Sequence, residues 1–264
     1  MRLTFYCLTL AIAAMSTAAH AADVQLYAAG SLRAALTDIG AAFAAKIGLH
    51  VAGKFGPSGV LEKEIAGGAR ADVFASANME YPQALNRANK SGPVLRFARN
   101  KLCALVKPGL AVDSANLLDR MLDPAIKLGT STPNSDPSGD YAFEVFRKAD
   151  TIRPGARAIL EKKALKLTGT TESAVPPAGR SVYGWHIAES RADIFLAYCT
   201  ATAEARAQNP DQQVVQLPDA VAVGADYGLT VINGAPNAAQ QFAEFILSPA
   251  GQNILAGYGF SSGQ

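Results

Sequence analysis

The order of apolar runs along this chain of 264 residues predicts an α/β fold, two doubly wound lobes joined by a hinge. Two observations carry that expectation. Short β-branched and apolar runs are repeatedly followed by apolar residues at helical spacing. The series also starts afresh near Phe97, after one complete strand, turn, helix, strand, turn, helix, strand half.

In the first half, residues 24–29 read as a buried strand that runs into Gly30 and Ser31, after which Leu32, Leu36, Ile39, Ala42 and Phe43 recur at helical spacing. Residues 49–55 form a second strand. Gly56, Pro57, Ser58 and Gly59 then precede a helix carrying Val60, Leu61 and Ile65, and 71–76 form a third strand. The second half offers strands at 102–106 and 126–130 around a helix at 115–121, then a helix through Tyr141, Phe143, Val145 and Phe146. The Thr-, Pro- and Gly-rich stretch 167–179 reads as a surface loop. A helix at 182–189, strands at 193–198, 214–217 and 228–232, and helices at 238–247 and 250–256 complete the chain. All of these are expected to build parallel α/β lobes. The expected division is a leader at 1–21, one lobe from 22–99 with 222–264, and a second from 100–221.

The leader reading rests on Arg2, an apolar run over 3–15 and the small-residue pattern Ala19-His20-Ala21. The run is shorter than the ~20 residues of a spanning helix. Export to the periplasm, with cleavage near Ala21, is therefore expected. With 24 Lys and Arg against 22 Asp and Glu the chain is nearly neutral, and it has no basic block to track a phosphate backbone, so nucleic acid is a poor partner. Cys103 and Cys199 remain beyond the leader. In an oxidising compartment they permit one disulfide, and the other reading is two buried small hydrophobes.

Three places put Ser and Gly between a strand and a helix: Gly30-Ser31, Ser58-Gly59 and Ser138-Gly139. Each exposes unpaired backbone N–H groups at a helix start beside a hydroxyl, an arrangement suited to an anion. For any one serine, capping its own helix is the simpler expectation. Together, placed beyond the carboxyl ends of strands in facing lobes, they would line a cleft. Such a cleft holds an oxyanion by charge-assisted hydrogen bonds from neutral donors.

The runs Tyr27-Ala28-Ala29-Gly30-Ser31-Leu32, Phe55-Gly56-Pro57-Ser58-Gly59, Ala71-Asp72-Val73-Phe74-Ala75-Ser76-Ala77 and Phe97-Ala98-Arg99-Asn100-Lys101-Leu102 carry a resemblance. The chain resembles the periplasmic molybdate-binding proteins of ABC importers over nearly all of its length beyond the leader. The resemblance implies a type II periplasmic binding protein fold and a ligand, molybdate or tungstate, with no cofactor and no catalysis. It also implies a monomer that delivers this ligand to an ABC importer permease in the inner membrane. Ser31 and Ser58 match the family's first-lobe serines, Tyr198 matches its second-lobe tyrosine, and Ser138 and Val182 stand where it contributes backbone amides. The chain departs from that pattern in the long stretch 167–185, in Cys103 and Cys199, and in having Ser138 at a Pro-Ala-Gly type turn.

Other features carry less. His50 and His186 lie far apart with no HExxH, which makes them positions of packing or surface rather than metal ligands. Gly56-Pro57-Ser58-Gly59-Val60 lacks the last Gly of a nucleophile elbow, so a serine hydrolase built on Ser58 is a weak rival. A binder of sulfate or an organic acid is a stronger one, and a receptor domain that reports occupancy is a third. Asp72 and Asp226 are expected to be structural, because a carboxylate facing an oxyanion repels it. Arg99 and Arg180 are expected at the rim, and Trp185, beside Tyr183, is expected to pack a helix on the sheet.

Overall fold

A computed structural model describes residues 24–263, so the leader expected at 1–21 lies outside the described residues. In chain order the first part contains β1 (Val24–Ala29), a 3-10 turn (Gly30–Leu32), α1 (Arg33–Ile47), β2 (Val51–Gly56), α2 (Ser58–Ala66), β3 (Val73–Ser76), α3 (Glu80–Arg87) and the long strand β4 (Leu95–Val106). Next come α4 (Leu117–Leu122), β5 (Leu128–Ser131), α5 (Pro137–Ile152), α6 (Ala156–Lys163), β6 (Leu165–Thr168), α7 (Val182–Ala188), β7 (Ile194–Tyr198), α8 (Cys199–Gln208) and β8 (Gln213–Gln216). The chain closes with β9 (Gly224–Val231), α9 (Asn237–Leu247), α10 (Pro249–Gly257) and β10 (Ser261–Ser262).

The strands form one sheet in the order β2-β1-β3-β9-β4-β7-β5-β6, with β8 and β10 also pairing with β4. Its two ends are doubly wound: β1 is parallel to β2 and β3, and β5 is parallel to β6 and β7. Wholly parallel lobes were expected, and here the structure differs. β9 runs antiparallel to β3 and β4, and β4 runs antiparallel to β7 and β8. The reason lies in β4, whose residues 95–101 pair with β9 while residues 102–106 pair with β7 and β8. A single strand therefore passes from one end of the sheet to the other, and the returning strand must lie antiparallel to it.

Local chemistry accounts for the elements that fix the site. In α1, Leu36, Ile39 and Phe43 make the buried stripe, and Gly48 ends the helix at φ 81°, its N–H donating to the Ala44 carbonyl. Phe43 meets Phe242 and Phe245 of α9 at 5.2 and 5.6 Å between ring centroids, which brings the C-terminal helices back onto the first. α5 begins with Asp136 as N-cap and Pro137 in the first turn, and buries Ala142, Val145, Phe146 and Ala149. Among the described residues no helix is long and apolar enough to cross a membrane.

Three helices and two strands, β6 and the two-residue β10, have no counterpart in the sequence reading. α3, α6 and α8 each bury only two or three residues, several of them small: Pro82 and Leu85; Ala156 and Leu160; Ala201, Thr202 and Ala205. Too narrow an apolar stripe gives little periodic signal. β6 is an edge strand with an exposed start, and it takes Leu167 and Thr168 out of the expected loop.

Cys103 of β4 and Cys199, the first residue of α8, form a disulfide with Cα atoms 4.8 Å apart across a separation of 96 residues. The link closes a long loop and so restricts the unfolded chain. The double substitution Cys103→Ala, Cys199→Ala is expected to cost about 4.7 kcal/mol by that loop-length relation, measured by urea unfolding without reductant. A loss below about 1 kcal/mol would contradict the assignment of the bond to unfolded-state restriction.

Candidate functional site

The turns after β1 and β2 and the segment around Ala77 face the loop 169–181, the start of α7 and the end of β7 across a cleft of about 610 Å3. Of the five residues expected to meet a ligand, Ser31, Val182 and Tyr198 line this cleft. Ser58 and Ser138 are buried, and they contact residues that do line it: Ala77 in one case and Asp136 in the other.

The serines do not cap their own helices, contrary to the simpler expectation. Pro57 is the N-cap of α2 and Ser58 is its first residue; Asp136 is the N-cap of α5; Ser31 sits inside the 3-10 turn. Their hydroxyls are thereby free for other partners. Ser58 Oγ accepts the Ala77 N–H at 3.1 Å, which leaves its own proton to donate. Ser31 Oγ and the Tyr227 hydroxyl share a hydrogen bond of 3.0 Å, and Asn100 Nδ2 donates to the same phenol at 3.3 Å.

Tyr198 is 1 % exposed, and its hydroxyl donates to the Ala77 carbonyl at 3.3 Å. Both polar groups of one peptide residue are thus held from opposite directions, by α2 and by the end of β7. A second contact across the cleft runs from the Gly59 N–H to the Ser135 carbonyl, 2.9 Å. A Cβ on Gly59 would stand 2.8 Å from that carbonyl oxygen, so this approach requires glycine.

Burial is the first cause that raises the pKa of Tyr198, Tyr227, Tyr183 and Tyr141, the last to about 12. These phenols stay protonated at any physiological pH and remain donors. The charged residues on the cleft wall are Arg33, Arg180, Asp136 and Glu204, two of each sign. Arg33 lies 4.8 Å from the Phe55 ring centroid, and Arg180 donates to Asn209 Oδ1 at 3.0 Å.

Several other sequence candidates have local partners. Asp72 accepts the Gln25 N–H at 2.7 Å, and Asp226 is paired with Arg96 and Arg99. Trp185 lies outside the cleft beneath Arg191, at 4.1 Å, whereas Tyr183 lines the cleft and packs on Phe195. His186 stacks on Phe195, and burial, its largest cause, lowers its pKa. Among the described residues no group of three or more His, Cys, Asp or Glu could hold a metal ion.

The sequence reading missed Asp136, Ala77, Tyr227 and Asn100. An Asp directly before Pro at a helix start is an N-cap signal that could have singled out Asp136. Ala77 contributes only backbone, and nothing in its side chain announces it.

Such a fold, with a cleft walled by hydroxyls and helix starts between the two ends of a shared sheet, defines a class of ligand-capturing proteins. The chain belongs to the bacterial extracellular solute-binding proteins, whose family pattern matches residues 24–261. It is 32% identical to the uncharacterized protein PM1146 of Pasteurella multocida (strain Pm70), over 90% of this chain and 98% of that one. It is 28% identical to the molybdate-binding protein ModA of Escherichia coli (strain K12), over 90% of this chain and 88% of the relative. The periplasmic molybdate-binding protein of Azotobacter vinelandii superposes with a TM-score of 0.72 at 18% identity, covering 91% of this chain and 100% of that chain, and thus shares the fold.

Removing the Ser58 hydroxyl would leave the buried Ala77 N–H without its acceptor. Ser58→Ala is expected to lower stability by about 1–3 kcal/mol, read as a shift of the urea midpoint at constant slope. An unchanged midpoint would show that this bond contributes nothing.

Proposed function

We propose that this protein captures a tetrahedral oxyanion of the molybdate or tungstate type in the periplasm and passes it to an ABC importer permease in the inner membrane. The supporting observation is that Ser31, Val182 and Tyr198, far apart in sequence, line one cleft whose charged side chains balance. Ser58, which accepts the Ala77 N–H and keeps its own hydroxyl proton to donate, and Ser138, whose N–H is held by Asp136, belong to the donor set in this reading. Backbone amides and hydroxyls held by the fold can stabilise a dianion without a counterion, because their dipoles are oriented before the ligand arrives. The relatives named for molybdate binding support the choice of ligand.

In this reading the two lobes comprise 22–99 with 222–264 and 100–221, and they close about β4 and the segment joining β8 to β9. Hinge closure of this kind brings donors from both sides onto one guest. The protein acts as a monomer, needs no cofactor and performs no chemistry on its ligand.

Titration calorimetry with molybdate, tungstate, sulfate and phosphate tests the choice of ligand. Molybdate and tungstate are expected to bind at least about a hundredfold more tightly than sulfate, a difference of about 2.7 kcal/mol. Tight sulfate binding with none of molybdate would reassign the ligand. Tyr198→Phe is expected to weaken molybdate binding about tenfold, the worth of one hydrogen bond to a charged group.

A further inference from the structure

Asp136 is out of place in a cleft for a dianion. It lines the wall, and as N-cap of α5 its Oδ1 accepts the Ser138 N–H at 3.1 Å. That amide is the donor which the family resemblance assigns to the ligand. The carboxylate therefore sits where an oxyanion would, and it uses the helix start that would attract one. Beside it, the buried hydroxyls of Ser131 and Ser138 have no partner at hydrogen-bonding geometry.

Of the groups that act on Asp136, only the Ser138 N–H and the Ser131 hydroxyl favour its ionised form, and neither carries a charge. On its own helix Asp140 adds a second carboxyl; from β5 comes the Ser131 hydroxyl; from α7, β7 and α3 come the neutral phenols of Tyr183, Tyr198 and Tyr81. Gly169 of the loop after β6 approaches the carboxyl so closely that a Cβ there would stand 2.8 Å from that of Asp136. Among the described residues, no Lys, Arg or His contributes to the shift of Asp136. Arg33 and Arg180, on the same cleft, are engaged with Phe55 and Asn209.

We infer that Asp136 is a specificity determinant: the cleft takes a tetrahedral dianion only when one proton is shared between the ligand and this carboxyl group. The inference rests on the oxyanion reading above. An ionised Asp136 repels the ligand and withholds the Ser138 amide. Once protonated it is a weaker acceptor, releases that amide and offers an O–H donor of its own. A fully deprotonated oxyanion such as molybdate must draw the proton from solvent onto Asp136. An oxyanion that carries a hydrogen, such as hydrogen phosphate, brings it along.

Burial, the largest cause, raises the pKa of Asp136 to about 6, which places the change within the range a periplasm experiences. The sign follows directly. The protonated form binds, so molybdate affinity is full below that pKa and falls roughly tenfold per pH unit above it.

Calorimetry with molybdate on the wild-type chain and on Asp136→Asn, at pH 5.5 and pH 8.5, tests this. Asn keeps a side-chain oxygen to cap α5, and circular dichroism checks the fold. Wild-type affinity is expected to fall roughly two- to three-hundredfold between the two pH values, with uptake of about one proton seen as a buffer-dependent heat at pH 7.5. Asp136→Asn is expected to bind within about threefold at both pH values, and more tightly than wild type at pH 8.5. Should the variant fail to fold, the buffer dependence of the wild-type heat decides by itself. A flat wild-type profile without proton uptake overturns the role of Asp136 and leaves the oxyanion reading intact. No molybdate binding by either protein at pH 5.5 overturns the oxyanion reading, and the inference falls with it.

Discussion

The peptide of Ala77 is held at both ends. Its N–H is accepted by Ser58 Oγ at the start of α2, and its carbonyl receives the Tyr198 hydroxyl from the end of β7. Two elements that belong to opposite ends of the sheet therefore meet at one buried residue, and the cleft takes its shape around that meeting. If either bond is lost, a buried polar group of Ala77 is left without its partner, a cost of about 1–3 kcal/mol. The arrangement persists because both side-chain partners are fixed by backbone: the acceptor Ser58 by the Pro57 turn and the donor Tyr198 by its register opposite Leu102 of β4.

β4 is the second constraint. It pairs with β9 along one stretch and with β7 and β8 along the next, so any rotation of the two ends of the sheet is concentrated where its partners change. The disulfide from Cys103 to Cys199 lies just past that change and directly follows Tyr198 in sequence. It therefore ties the phenol that spans the cleft to the strand that joins the two ends. In a closing binder this would keep Tyr198 in register with β4 while the opposite wall moves.

Much of this was legible in the residues. The strand and helix series of β1, α1, β2 and α2 follows apolar spacing, and the Ser-Gly turns fall where the strands deliver their ends. The antiparallel returns were not legible, because periodicity reports which face of a strand is buried and says nothing of its direction or neighbours. α3, α6 and α8 were missed for a related reason, since each buries too few large side chains to leave a stripe. Ser31, Val182 and Tyr198, singled out in the sequence as ligand contacts, line the cleft, while Ala77 acts through its backbone alone and carries no side-chain signal. Asp136 carries a signal of its own, an Asp before Pro at a helix start, but the repulsion between a carboxylate and an anion argues against placing it in the cleft, so electrostatics and capping point in opposite directions there.

What remains central is the idea that neutral donors from both ends of the sheet converge on one guest. A crystal of the protein grown with tungstate, examined at the tungsten absorption edge, tests it most directly. One strong anomalous peak is expected in the cleft, within hydrogen-bonding reach of the Ser31 and Ser58 hydroxyls on one side and the Tyr198 hydroxyl on the other. A peak held by Arg33 or Arg180 at the rim, with those hydroxyls turned away from it, would contradict the account.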